Sequence, residues 1–314
     1  MRFSIAIPFY KIKYFKECLD SVLAQTYVDF EVLILNDKSP DDISSILNAY
    51  SDPRIRYFEN EENVGAIRLV DNWNNLLSLA QGEYVINMGD DDKLMPNCLE
   101  VLSELINRYP KVDIFHSRVM LIDEKNTPFA LSFERPEFES CPEFILKRLH
   151  KFEQYIGDFC IRKSKLKEIG GYPNYPLAWC TDDVVSFEAA VPNGVVHSKE
   201  VLFLYRSSEQ TISNSKWNLL KIEGVCAEHK WLLNFLEHYH AKTREEQLYL
   251  LQIRKELPVV LDRKKATYLA EFLAEKRMNI FKYLQVCKKY EISKYASFFA
   301  LEVRLNLFVK SLIK

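Results

Sequence analysis

The sequence lacks paired cysteines, long apolar runs and a large net charge, and each absence excludes a class of protein. Its seven scattered cysteines form no CxxC pair and no zinc-like spacing, so we expect reduced thiols in a cytoplasmic protein. No run of eighteen uncharged apolar residues is present, so no membrane-spanning helix is expected. The first apolar run, in MRFSIAIPFYK, is too short for a signal peptide. The formal net charge of -2 disfavours a protein that binds nucleic acid by general electrostatic attraction.

Short apolar runs alternate with helical stripes over the first half of the 314 residues. The predicted strands cover 3–8, 30–36, 55–58, 83–88 and 112–117. The predicted helices begin at Phe15, at Ser39-Pro40 with Asp42 in the third position, at Leu69 with Gly82 closing the helix, at Pro96 and near Thr181. Strands that alternate with helices indicate an α/β fold with a mostly parallel, doubly wound sheet.

The character of the sequence changes near residue 215. Glycine nearly vanishes after Trp217 and long helical patterns follow, so we predict one domain over 1–215 and an α-helical region over 216–314. From Lys276 onward, nine Lys and Arg residues stand against two Glu, mixed with large apolar side chains. This segment either makes a peripheral contact with an anionic membrane or packs on its own domain with a solvated basic face.

Three polar clusters follow predicted strands, at the edge of an open α/β sheet where ligands bind. They are residues 36–39 (NDKS), 63–65 (NVG) and 90–92 (DDD). Alternation along an extended chain would put Asp90 and Asp92 on one face. A Mg²⁺ or Mn²⁺ ion that bridges to a diphosphate would offset the repulsion among the aspartates. The alternative is an acidic turn that caps the helix at Pro96.

The sequence resembles the family 2 glycosyltransferases of the GT-A fold, of the kind that builds bacterial polysaccharides. The resemblance covers about two thirds of the chain, in the family's order. It rests on SIAIPFYK (4–11), LDSVLAQTYVDFEVLILNDKSPDD (19–42), NVG (63–65), NWNNLLSLAQGEYVINMGDDDKLMP (72–96), IGGY (169–172), CTDDVVSFE (180–188) and YRSSEQTIS (205–213).

The resemblance implies a role for each matched position. The implied donor-binding residues are Pro8, Phe9, Tyr10, Asp37, Asn63, Asp90, Asp91, Arg206 and Ser208. Asp37 would hold the base or ribose, and Arg206 would contact the diphosphate with help from Ser208 or Ser213. Asp92 would be the principal metal ligand, with Asp90 beside it. The pair Asp182 and Asp183 would lie near the acceptor, and one of the two would act as the base.

Each position also has an ordinary structural interpretation. Asp37 could form a turn, the acidic pair could stabilise a helix N-terminus, and Arg206 could make a surface ion pair. We expect Trp73 in the core, whereas Trp179 could stack on a sugar. Four positions depart from the family pattern: Asn36, Lys38, Gly89 and Glu209.

These residues predict an inverting, Mn²⁺- or Mg²⁺-dependent transfer of a sugar from a nucleotide-sugar, such as a UDP-sugar, to an acceptor hydroxyl. The acceptor would be a saccharide or a lipid-linked molecule. Inversion follows from the acidic pair, because one in-line displacement needs a base and no protein nucleophile.

A nucleotidyltransferase would need a glycine-rich loop after the first strand, and PFYKIKYF has none. The other alternative is a non-catalytic scaffold that binds nucleotide-sugars. The segments 127–142 and 205–213 are candidate lids.

Overall fold

A computed structural model describes residues 1–208, 218–275 and 280–302. In the first part of the molecule, ten strands form one mixed sheet. The strands are β1 (Phe3–Phe9), β2 (Phe30–Asn36), β3 (Ile55–Glu59), β4 (Tyr84–Asn87), β5 (Lys93–Leu94), β6 (Ile114–Ile122), β7 (Pro128–Leu131), β8 (Phe138–Glu139), β9 (Phe159–Arg162) and β10 (Val195–Arg206). Their order across the sheet is β3-β2-β1-β4-β9-β6-β10-β5, and β7 pairs with β6 and β8 with β10.

The long strand pairings are parallel, as the sequence predicts. Strands β3, β2, β1 and β4 run parallel, and β6 pairs with β10 in the same sense. The short strands β5, β7 and β8, together with β9, add antiparallel pairs. Strands β1, β2 and β4 are almost wholly buried, which explains why their sequences are continuous apolar runs.

Of the helices up to residue 190, those that begin at Phe15, Leu69, Cys98 and Thr181 match predicted helices, whereas those that begin at Cys141 and Lys163 are not predicted from the sequence. The helices in this part of the chain are α1 (Phe15–Leu23), α2 (Ser44–Leu47), α3 (Leu69–Leu79), α4 (Cys98–Arg108), α5 (Cys141–Leu149), α6 (Lys163–Glu168) and α7 (Thr181–Ala190). Apolar side chains of α1 and α4 pack with Phe3, Ile5 and Ile7 of β1 in one core. Trp73 is buried against Tyr172, edge to face at 5.6 Å, so its predicted core position is confirmed.

Two predicted helix boundaries are wrong. The helix expected at Ser39-Pro40 begins at Ser44, because the Ser39 hydroxyl donates to the Tyr10 carbonyl at 2.6 Å. Gly82 does not close α3, which ends at Leu79. A Cβ on Gly82 would lie 2.6 Å from backbone atoms of β1, so this glycine permits a close approach of two backbones.

Two compact units share the chain. The first comprises Met1–Asn174 and the described residues from Asp182 to 208, and the second comprises Tyr175–Thr181 and the described residues from 218 onward. The predicted boundary near 215 lies outside the described residues. The second unit contains α8 (Asn218–His238), α9 (Arg244–Glu275) and α10 (Ile280–Lys289).

The core of the second unit is formed by α8, α9, α10 and the residues that follow α10. Ile222, Leu269 and Tyr283 are among its buried members. Trp179 is half-buried and packs edge to face on Tyr268 in this unit, with ring centroids 5.6 Å apart. Of the helices that the structure describes, none combines the length and the apolar character that crossing a membrane requires.

Candidate active site

The carboxyl ends of β1, β2 and β4 meet at one edge of the sheet and are tied together at Tyr10. The backbone N–H groups of Tyr10 and Lys11 both donate to Asp90 Oδ2, at 2.8 and 2.7 Å. The Tyr10 carbonyl accepts from Ser39 Oγ at 2.6 Å. The predicted polar clusters at 36–39 and 90–92 therefore both contact the chain just after β1.

The carboxylate of Asp37 accepts hydrogen bonds from the third polar cluster, residues 63–65, and from Asn60. Its Oδ1 accepts from Asn60 Nδ2 and the Val64 N–H, both at 2.9 Å. Its Oδ2 accepts from the Gly65 N–H at 3.1 Å and Asn63 Nδ2 at 3.3 Å. Asp37 is 5% exposed, and these four donors hold its carboxylate in place. Asp37 and Asn63, both predicted to contact the donor, therefore shape the loop that follows β3.

The three consecutive aspartates point in two directions. Asp90 and Asp91 occupy a turn, so the alternation expected of an extended chain does not apply to them. Asp90 faces the backbone of residues 10–11. Asp91 Oδ1 and Asp92 Oδ2 instead lie 3.0 and 2.9 Å from the position that a Cβ on Gly89 would take. Both carboxylates therefore border the space beside Gly89.

Burial makes ionisation of this cluster costly. Burial and the charge of Asp91 raise the pKa of Asp90 to about 6. Burial also raises the pKa of Asp91 and, together with the charge of Asp91, that of Asp92. Within the described part of the chain, no side chain donates a hydrogen bond to the carboxylate of Asp91 or Asp92. A cation at this position would relieve the repulsion.

The donor set fits a hard divalent cation. Two carboxylate oxygens border the space beside Gly89, and Mg²⁺ or Mn²⁺ commonly binds through one or two carboxylates together with substrate phosphates. The residues that would hold the ion are Asp91 and Asp92. Asp90, assigned to the metal from the sequence, has Oδ2 committed to two backbone N–H groups.

Arg206 supports the carboxylate loop from within the protein. Its backbone N–H donates to Asp92 Oδ1 at 2.9 Å, and its side chain is fully buried. The guanidinium donates to the carbonyls of Asp91 (2.8 Å) and Asp123 (3.2 Å) and to the side chains of Asn126 (2.9 Å) and Glu17 (3.1 Å). Four of the five N–H groups of the guanidinium thus donate to protein oxygens, and the predicted contact of Arg206 with a diphosphate stays a prediction.

The remaining predicted donor contacts are divided between core and surface. Phe9 is wholly buried and packs on Phe15, with ring centroids 4.7 Å apart, so its side chain belongs to the core. Pro8 is half-buried, and the Tyr10 ring is 44% exposed at the sheet edge. Ser208 is buried. Ser213, Glu209 and most of the 205–213 segment lie outside the described residues.

Two departures from the family pattern lie beside the loop after β2. The Asn36 side chain accepts from the Ser39 N–H at 2.9 Å, so it closes this turn as an aspartate would. Lys38 has a positive φ of 52° and directs its ammonium to Glu59 at 2.6 Å. Neither side chain removes the Asp37 contacts.

The acidic pair begins α7, as predicted. Asp183 is 1% exposed and accepts from Arg148 Nε at 2.6 Å and Gln154 Nε2 at 2.8 Å. Asp182 is half-buried, and burial together with the charge of Asp183 raises its pKa to about 7. Since the two carboxyl groups interact, they titrate as a pair.

Sequence reasoning missed the residues that orient these carboxylates. Arg148 and Gln154 hold Asp183, and Glu17 and Asn126 hold Arg206. Their separations along the chain range from 29 to 189 residues. The spacing of residues in the sequence does not predict such contacts, because they form only when distant segments meet in the folded sheet.

Comparison with known proteins assigns the family. Residues 4–170 match the model described as Glycosyl transferase family 2. An uncharacterised glycosyltransferase of Rickettsia typhi is 33% identical over 223 residues, covering 69% of this chain and 68% of the relative. The crystal structure of S. aureus TarS 1-349 in complex with UDP-GlcNAc has a TM-score of 0.66 at 16% identity, covering 98% of this chain and 89% of that one.

A second solved structure has the same fold. The mannosyltransferase PcManGT from Pyrobaculum calidifontis, in complex with GDP-Man and Mn²⁺, has a TM-score of 0.55 at 14% identity and covers 97% of this chain and 86% of that one. These likenesses confirm the predicted GT-A architecture. The chain belongs to glycosyl transferase family 2 and is a glycosyltransferase.

Proposed function

We propose that this glycosyltransferase moves a sugar from a nucleotide-sugar, most simply a UDP-sugar, to a hydroxyl of a saccharide or lipid-linked acceptor, with inversion at the anomeric carbon. The observation that carries the proposal is the position of the Asp91 and Asp92 carboxylates, which both border the space beside Gly89 at the ligand-binding edge of the sheet. The two solved structures described above hold nucleotide-sugars, which supports the class of donor.

At the donor end, the chain supplies a carboxylate pair and the scaffold that holds it. Asp91 and Asp92 would hold a divalent cation, which when bound offsets the charge of the departing nucleoside diphosphate. Arg206 fixes the loop through the Asp91 carbonyl and the Asp92 carboxylate. Asp90 fixes the turn at Tyr10 and Lys11, and the charge of Lys11 favours the ionised form of Asp91.

At the acceptor end, the pair Asp182 and Asp183 removes the proton from the attacking hydroxyl. The pKa of about 7 for Asp182 suits a general base near neutral pH. Arg148 and Gln154 hold Asp183 in a fixed orientation. A direct displacement by the activated hydroxyl, with no protein nucleophile, inverts the anomeric centre.

The proposal is tested by incubating the full chain with a panel of nucleotide-sugars, with and without Mn²⁺, and following donor hydrolysis and transfer. We expect metal-dependent release of UDP from one or a few UDP-sugars, and a product of inverted configuration. Release of pyrophosphate from a sugar phosphate and a nucleoside triphosphate would instead indicate a nucleotidyltransferase. Binding of donors without turnover, under any metal condition and with any acceptor, would indicate a scaffold.

We also propose that the basic C-terminal segment brings a cytoplasmic enzyme to the membrane surface. Its described part exposes Phe281 and Phe298 alongside Lys288 and Lys294, whereas residues 276–279 and 303–314 lie outside the described residues. Apolar and cationic side chains together suit an anionic bilayer. Deletion from residue 292 should move the protein from the membrane fraction to the soluble fraction, and an unchanged distribution would contradict this proposal.

A further inference from the structure

Three residues in the segment just before the acidic pair have a left-handed backbone conformation. Leu177 has a φ of 62°, Ala178 a φ of 55° and Cys180 a φ of 64°, and none of them is a glycine. A residue with a Cβ is disfavoured in this region, because the Cβ lies too close to the following carbonyl oxygen. Residues 177–180 are therefore called the strained segment. Elsewhere in the described part of the chain, non-glycine residues with a positive φ occur singly, at Lys38, Asn126, Lys151 and Glu291.

Hydrogen bonds within the segment close a turn that its sequence does not favour. The Trp179 N–H donates to the Pro176 carbonyl at 3.1 Å, and the Ala178 N–H donates to the Tyr175 carbonyl at 3.0 Å. The two central residues of the Pro176–Trp179 turn, Leu177 and Ala178, both have a positive φ. Turns of this class are normally occupied by glycine and asparagine. Because such strain persists only where the surrounding structure holds it, contacts outside the turn are required.

The C-terminal helices supply these contacts at the Trp179 ring. Tyr175–Thr181 belongs to the same compact unit as α8, α9 and α10. Trp179 packs edge to face on Tyr268 of α9, with ring centroids 5.6 Å apart. Lys221 of α8 is 3% exposed, and its ammonium lies 4.7 Å from the centroid of a Trp179 ring. Side chains of two helices therefore hold the ring at the centre of the strained segment.

Gly224 lets α8 approach the main chain of the strained segment. A Cβ on Gly224 would lie 2.5 Å from the carbonyl oxygen of Trp179 and 2.9 Å from its Cβ. Glycine in a helix interior is less stable than alanine, so its presence here is explained by the close approach. The next strained residue, Cys180, is buried in a cluster with Val225 of α8 and Leu261 of α9. The helices thus hold the backbone as well as the ring.

The strained segment leads directly into the acidic pair. Helix α7 begins at Thr181, the residue after Cys180, and carries Asp182 and Asp183 in its first turn. Since the chain is continuous, the backbone conformation at Cys180 sets the direction in which α7 starts. The orientation of the two carboxyl groups therefore depends on the conformation of residues 177–180.

We propose that Lys221, Gly224 and Tyr268 are positioning residues for the acidic pair. They hold the strained segment in its left-handed conformation and so act on Asp182 and Asp183 through the main chain. The helical C-terminal region thereby contributes to the proton transfer. The catalytic consequence rests on the proposed function, whereas the strain rests on the backbone geometry alone.

The first experiment measures the strain by thermal unfolding of the full chain. Ala178→Gly removes a Cβ at a φ of 55°, and we expect the melting temperature to rise by about 2 °C, since glycine adopts this region without strain. Ala24→Gly is the matched control, because Ala24 is exposed and has a φ of −81°. There the change only adds freedom to the unfolded chain and should lower the melting temperature. An unchanged or lower melting temperature in Ala178→Gly would overturn the proposal, whether or not the protein transfers a sugar.

The second experiment tests positioning by steady-state kinetics of sugar transfer. Gly224→Ala adds a Cβ that displaces the Trp179 main chain, so kcat should fall about tenfold or more. The KM for the donor should be unchanged, because the donor binds at the edge where β1, β2 and β4 end. A kcat equal to that of the wild type in a folded Gly224→Ala protein would refute the positioning role.

A second set of variants serves if Gly224→Ala does not fold. Tyr268→Leu removes only the ring that contacts Trp179 and should lower kcat in the same way, whereas Tyr268→Phe keeps the ring and should retain most of the wild-type kcat. Tyr249→Leu, the same change elsewhere on α9, is the matched control and should leave kcat unchanged. Equal kcat values in Tyr268→Leu and Tyr249→Leu would refute the positioning role. A wild type that transfers no sugar would refute the proposed function and this role with it, while the melting temperatures still decide the strain.

Discussion

The same sheet edge carries two kinds of aspartate, one after β2 and one after β4. The carboxylate of Asp37 accepts four hydrogen bonds from Asn60, Asn63, Val64 and Gly65. The carboxylates of Asp91 and Asp92 receive no side-chain donor from the described chain, and burial raises their pKa values. One site is complete within the protein, whereas the other is left in need of positive charge.

We propose that this difference distinguishes a structural acid from a ligand-binding acid. A buried carboxylate whose lone pairs are filled by the chain stabilises the fold, and its removal leaves buried donors unpaired. A carboxylate pair that is partly or wholly buried and receives no side-chain donor destabilises the fold slightly, which is typical of functional sites. The two sites should therefore respond in opposite ways to mutation.

The largest effect is expected at the carboxylate pair. Asp92→Asn should lower kcat/KM by about 10²- to 10³-fold, the loss typical of removing one preorganised electrostatic contact to the transition state. Its melting temperature should be unchanged or higher, because repulsion with Asp91 is reduced. Steady-state kinetics and thermal unfolding measure the two quantities. Asp42→Asn, at an exposed position, is the matched control and should change neither, and equal losses in both variants would contradict the account.

Asp37→Ala should show the reverse pattern in stability. Four donors lose their acceptor, so the free energy of unfolding should fall by about 3 kcal/mol or more, measured by denaturant titration. Activity of the fraction that remains folded should fall less than in Asp92→Asn. A variant as stable as the wild type would show that the Asp37 contacts contribute little, and the distinction between the two acids would fail.

Gly89→Ala sharpens the comparison without removing a carboxylate. The added Cβ would lie within 3.0 Å of Asp91 Oδ1 and Asp92 Oδ2 and would displace both, so activity should fall about tenfold or more. Stability should hardly change, since flexible side-chain ends can move. Gly170→Ala is the matched control: it has open space but a φ of +86°, so it should lose stability and keep activity.

The smallest expected effect is a change in pH dependence at the acidic pair. Because the base must be ionised to accept a proton, activity should fall tenfold per pH unit below about pH 7, the pKa of Asp182. Arg148→Met removes the cation that favours ionisation of the acidic pair, so the fall in activity should begin about one pH unit higher. Arg148→Lys keeps the positive charge, so the pH at which activity begins to fall should not change. If this pH is also unchanged in Arg148→Met, the acidic pair does not accept the proton.

Local patterns in the sequence predict the frame of the site well. The runs FSIAIP and FEVLILN form buried strands at the predicted places, and polar residues follow them at one edge. The start of α7 at the acidic pair is also predicted. These features depend on neighbouring residues and on a fixed periodicity, which a single sequence displays.

Long-range partners account for what the sequence does not predict. Whether Arg206 faces a ligand or the protein depends on Glu17, Asp123 and Asn126, which lie far away in the chain. The direction of Asp90 depends on the backbone of residues 10–11. Such contacts depend on the assembled sheet, so motif positions identify the site but not the role of each side chain within it.

The most direct measurement of the central claim is a crystal of the full chain grown with Mn²⁺ and UDP, with anomalous diffraction recorded for manganese. The account predicts an anomalous peak in contact with the carboxylates of Asp91 and Asp92 and with the diphosphate. UDP bound at the sheet edge with no manganese at these two side chains would contradict it.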